Sequence, residues 1–202
     1  MKYLISNLSF FLILIINTNQ TNAQAIYIND VANFWSAYDK IQIEQAFDEQ
    51  LKIINADYLE PGSHGLKELC AVMNYTDSAY VKSIKKYPKF WNSLRLKTKT
   101  LAKANVVIHN SLQDLKILYP NLQPANLYLC IGLGNAGGRP IGKDLVIGLE
   151  LALGDSTINT SEFESQAKKD FYKNSQTGGL IHVAIHEYIH ILSKKVSAII
   201  TC

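Results

Sequence analysis

Two histidines and a glutamate near the end of the chain have the spacing of a metal site. His186, Glu187 and His190 form His-Glu-x-x-His inside Gly178–Lys195. Positions i and i+4 share one helix face about a turn apart, so the two imidazoles can converge on one ion. Neutral imidazole nitrogen suits Zn²⁺, and a carboxylate next to the first ligand can act as general base on water bound to the metal. The assignment is therefore His186 and His190 as zinc ligands and Glu187 as the catalytic base. By composition alone the pattern arises in roughly one chain of this length in a hundred or fewer. The competing reading makes these ordinary helix histidines, satisfied in the core. Two histidines with glutamate in the slot between them favour the metal.

The neighbours of the motif refine this. Ile181, Ile185, Ile189 and Leu192 follow 4-4-3 spacing, which predicts a buried apolar stripe and leaves the histidine row lining a cleft. His182 extends that row one turn earlier, but it stands about 12 Å along the axis from His190. With bonds near 2.0–2.1 Å, one ion cannot reach both, so His182 is expected to support or pack beside the ligands. A catalytic zinc usually has three protein ligands and one open position. The extended pattern with a third histidine fails, because Ser193 and Val196 stand where its glycine and histidine belong. None of the residues from Ile191 to Cys202 is acidic. The site is therefore expected to be incomplete, with weak zinc binding and weak hydrolysis. Glu150 is the upstream carboxylate to consider as a rescue.

The elements that must position these groups can be read in order. Lys2, the apolar run Leu8–Ile16, a polar stretch and Ala23-Gln24-Ala25 have the form of a secretory signal, so 1–25 is expected to be removed and 26–202 to form one domain. That predicts a periplasmic or secreted protein with no stable membrane anchor, since the apolar run is too short to span a bilayer. A formal charge of +3 spread over 202 residues does not call for nucleic acid. Cys70 and Cys130 could pair in an exported protein and leave Cys202 free; their spacing does not decide it.

Helices are predicted from a cap at Asp30 through Ile41, over Glu44–Tyr58, Leu66–Met73, Asp77–Lys86 and about Lys99–Leu118, then Ser161–Tyr172. Leu59–Gly65 reads as a loop, with His64 exposed on it. Tyr75, Tyr80, Tyr87, Phe90 and Trp91 read as core. Asn126–Ile131 and Leu145–Leu149 read as strands. Between them, Gly132-Leu133-Gly134-Asn135-Ala136-Gly137 has G-x-G-x-x-G spacing, yet Arg139-Pro140 follows where a dinucleotide site needs a helix. A flexible connection is expected, not a phosphate cradle. The fold class is α+β: a mostly helical N-terminal part, a small sheet, then the His-Glu helix.

In Phe34–Lys40, Tyr87–Trp91, Leu145–Glu150 and His186–His190 the chain resembles a family of exported bacterial proteins described as predicted zinc-dependent proteases, of unknown function, with a gluzincin-like His-Glu-x-x-His site. The resemblance covers nearly all of the chain after residue 25. It implies a zincin-like fold, a peptide or protein substrate, and Leu145–Glu150 as a strand near the cleft, where a peptide could pair by strand addition. It also implies a further helical segment with an acidic third ligand, so the chain is expected to be truncated after the His-Glu helix. The alternative is a non-catalytic binding protein, or remnant, of the same fold.

Overall fold

A computed structural model describes residues 24–134, 137–174 and 179–200, with side chains as far as His190. The architecture is α+β. One short sheet, order β1-β2-β4-β3, carries helices that make up most of the molecule. Strands β1 (Ile26–Tyr27), β2 (Leu127–Cys130) and β4 (Asp144–Gly148) are parallel, and β3 (Gly138–Ile141) runs antiparallel to β4 along one edge. Every residue of β2 and β4 is buried, as expected for parallel strands covered on both faces.

The aromatic-rich first half folds into the core. Helix α1 (Asn29–Ile43) buries Val31, Phe34, Trp35, Tyr38 and Ile41, the 3-1-3-3 row of its sequence. Asp30 does not cap it. Ile28 stands at the cap without a side-chain bond, and Asp30, inside the first turn, accepts from the amide of Ser63 (2.9 Å) and its hydroxyl (2.5 Å). Ser63 in turn caps α3 (His64–Met73), so one carboxylate ties the starts of two helices together. Helix α2 (Phe47–Ile54) runs into a π-turn at Asn55–Leu59 that carries the fully buried Tyr58. His64 is therefore exposed at the start of a helix and lies edge-on to Tyr128 at 6.2 Å.

Helix α4 (Asp77–Lys86) and α6 (Leu101–Leu118) fall where their patterns place them. Between them lies α5 (Pro88–Thr98), which buries Phe90, Trp91 and Leu94. Its cap is distant in sequence: the Glu162 carboxylate accepts from the amides of Lys89 and Phe90 at 2.9 and 3.0 Å. A single turn, α7 (Leu149–Ala152), follows β4 directly; α8 (Gln166–Asn174) starts later than expected, and α9 (Gly179–Ile200) closes the described chain. The expected leader lies outside the described residues except for Gln24 and Ala25. The Ala25 carbonyl accepts from Leu127 N–H (2.9 Å), and its amide donates to the Asn126 side chain (3.2 Å). Cys70 and Cys130 are both free thiols, the first half-buried and the second buried; Cys202 lies outside the described residues. Among the described residues no helix is long and apolar enough to cross a membrane.

Candidate metal centre

Helix α9 packs against α6, α7 and strands β3 and β4. Leu180, Val183, Ala184 and Tyr188 are buried on it. The Tyr188 hydroxyl accepts from the Ala125 amide (3.1 Å) and donates to the Gln123 carbonyl (3.2 Å), pinning the helix between its two candidate ligands. This corrects the predicted stripe. Ile181 and Ile185 are only half-buried, Ile189 is 46 % exposed, and the Leu192 side chain lies outside those described. One residue is 100° of helix, so inward rotation of the Leu180–Val183–Ala184 row carries the isoleucine row to the flank and then to solvent.

His182, His186 and His190 occupy the exposed side. The Nε2 atoms of His186 and His190 lie 2.9 Å apart, with ring centroids at 4.5 Å and ring planes nearly perpendicular. Two nitrogens on a tetrahedral zinc with 2.0–2.1 Å bonds stand about 3.3 Å apart. At 2.9 Å the two are within hydrogen-bonding distance, one ring donating to the other; loss of that proton and a few tenths of an ångström of opening would let the pair fill two positions of such a site. The His182 ring stacks on His186 at 5.9 Å. Among the described residues no group of three or more His, Cys, Asp or Glu side chains is placed to hold a metal.

Glu187, about 100° round the helix from His186, is half-buried against the first residue of β3. A Cβ on Gly138 would come within 2.4 Å of Glu187 Cγ and 3.0 Å of its Cδ. Glycine at 138 is therefore what lets Glu187 lie along the sheet edge. This contact was not legible in the sequence, where 132–142 reads as a flexible connection. Instead, Gly138–Ile141 forms β3, and Pro140 is tolerated because an edge strand need not donate from every residue.

The exit of β2 is held more tightly. The Tyr58 hydroxyl donates to the Ile131 carbonyl (2.6 Å) and accepts from its amide (3.0 Å), and the Tyr80 hydroxyl donates to the same carbonyl (2.9 Å). Beyond it, Gly132 N–H and Gly134 N–H donate to the two oxygens of Glu150, at 2.7 and 2.9 Å. Glu150 is fully buried in α7, not at the end of a strand. Burial pushes its carboxyl up to about 7, against the opposing pull of the two amides. With both oxygens so engaged, Glu150 is not a third ligand. Gly134 adopts φ +86°, and a Cβ there would overlap the Tyr172 hydroxyl. The strand expected to offer peptide pairing, Leu145–Glu150, is also corrected: β4 is flanked by β2 and β3, so it has no free edge.

Comparison of the chain with protein-family models, with curated proteins and with solved structures finds no match.

Proposed function

We propose that this chain carries the metal-binding helix of an exported zinc-dependent peptidase with a zincin-like fold, with His186 and His190 as ligands and Glu187 as general base. The observation that carries this reading is the 2.9 Å approach of the two Nε2 atoms. Bound zinc would supply Lewis acidity toward a carbonyl and lower the pKa of a water. The protein's own groups do the rest. The two imidazoles would give up their mutual hydrogen bond and turn both Nε2 atoms to the ion. Glu187 is the carboxylate next to the first ligand, where it can take a proton from the attacking water and pass it to the leaving amine. Strand β3, with one edge paired to β4, offers its other edge to an extended peptide beside Glu187.

The second reading is a non-catalytic binding protein of the same fold, and one observation favours it. Two imidazoles without a third described ligand leave two of four tetrahedral positions to water, so zinc binding is expected to be weak and hydrolysis slow. The test is the full chain with added Zn²⁺ on a mixed peptide library, beside Glu187→Ala. Cleavage that disappears in the variant supports the peptidase. Bound zinc without cleavage in either supports the binding protein, and absence of bound zinc overturns both.

A further inference from the structure

Of the described acidic side chains, Glu150 alone has no exposure; Asp30 and Asp144 retain 3 % and 6 %. An apolar side chain would fill the same space without the cost of burying a carboxylate. What Glu150 adds is two acceptor oxygens, each placed on one backbone amide of the chain leaving β2. Those amides lie where strand pairing has ended, and the preceding residue is already gripped by Tyr58 and Tyr80. Side chains thus hold three backbone N–H groups and one carbonyl between Ile131 and Gly134. The glycines permit it: a Cβ on Gly132 would lie 2.5 Å from Glu150 Oε1. Glu150 also follows Gly148 closely, and the Gly148 amide donates to the Gly137 carbonyl (3.0 Å), next to the residue that seats Glu187.

We propose that Glu150 is a positioning residue: by gripping the amides of Gly132 and Gly134 it sets the exit of β2 and the start of β3, and so the seat of Glu187 against Gly138. Inward-pointing amides of this kind commonly cradle a bound anion; here the anion is the protein's own side chain. The ionised carboxylate accepts both N–H groups, whereas a protonated carboxyl presents an O–H to one of them. The groups around it do not compete for the proton near neutrality. Tyr80 on α4, Tyr172 on α8 and Cys130 on β2 are all raised by burial and stay neutral, and Tyr75 lies beside Gly132.

The assignment of a role to Glu187 rests on the peptidase reading; the grip on the loop and the seat do not. The experiment is backbone NMR of the full chain, following amide exchange at Gly132 and Gly134 and the amide resonances of Gly138 and Glu187, for the wild type and Glu150→Gln. Expressed relative to intrinsic exchange, protection of the two glycine amides should fall roughly tenfold or more between pH 8 and pH 6 in the wild type. The variant should show the low value at both, with the Gly138 and Glu187 resonances displaced and Ile41, in α1, unchanged. Protection that is flat with pH, or Gly138 and Glu187 resonances unmoved in the variant, would overturn the proposal. If Glu150→Gln does not fold, the wild-type pH series decides alone. A Zn²⁺ titration of the same samples separates the two readings: a chain that binds no zinc defeats the peptidase, while the glycine amides still report on Glu150.

Discussion

The exit of β2 and the histidine row of α9 are built in opposite ways. At the exit, Ile131, Gly132 and Gly134 are held by two buried tyrosine hydroxyls and a buried carboxylate. On the helix, His182, His186 and His190 stand exposed, and the last two face each other across 2.9 Å. The exit spends buried polar groups on fixing backbone, where each is strong because water is excluded. The histidine row leaves its nitrogens accessible, which is what an arriving ion requires. Fixed backbone is thus found at the exit of β2, and accessible nitrogens on α9.

Substitutions should expose that asymmetry. Tyr80→Ala removes a fully buried ring and a bond to Ile131, and should destabilise the protein by about 3–5 kcal/mol in urea unfolding. A loss below about 1 kcal/mol would mean that the exit of β2 is not clamped. Next in size is a pH effect. Glu150 is raised from 4.5 to about 7 in the fold, so the folded chain retains a proton that the unfolded chain has released between those values. Unfolding free energy should therefore fall as pH rises through that window, by roughly 3 kcal/mol, and then level off. Glu150→Gln should abolish this slope; equal slopes in both proteins would refute the assignment. The same carboxylate lowers global stability when charged and holds the glycine amides best in that state.

A smaller loss is expected from Tyr58→Phe. It keeps the ring and deletes a hydroxyl bonded twice to Ile131; the carbonyl keeps Tyr80, but the amide loses the Tyr58 oxygen, at about 1–3 kcal/mol. On α9, His182→Ala, His186→Ala and His190→Ala should each change stability by no more than about 0.5 kcal/mol. Their effects on metal should diverge: the last two remove most bound zinc and the first leaves most of it. Equal zinc loss from all three, by metal analysis, would show that the whole row binds as one unit.

Much of the frame could be read from the sequence because it is set locally. Helix α4 begins at the Thr76 cap and ends before Pro88, and the row from α1 enters the core as its spacing requires. The parts that could not be read depend on distant partners. Helix α5 begins at a proline, a legible N-terminal signal, but Glu162, more than seventy residues on, completes its first turn. Strand β3 contains a proline and two-sided neighbours that only β4 and α9 reveal. The ligand spacing of His186 and His190 was legible because it lies within one helical turn. Which row of α9 is buried was not, since isoleucine and leucine–valine–alanine rows were both available and the Tyr188 anchor at Ala125 chose between them.

The π-turn at Asn55–Leu59 amounts to a one-residue insertion in a helix. It advances everything after Ile54 by the angle of one residue while leaving the earlier rows in phase. Ile54 and Tyr58, four residues apart, both face inward across it, and the widened turn is closed by the Glu60 amide donating to the Asn55 carbonyl (2.9 Å). Removing one residue from this turn, for instance Ala56, would restore a regular helix and swing the Tyr58 phenol off Ile131. In this chain the reading frame of a helix, as much as the identity of a tyrosine, decides whether the exit of β2 is fastened.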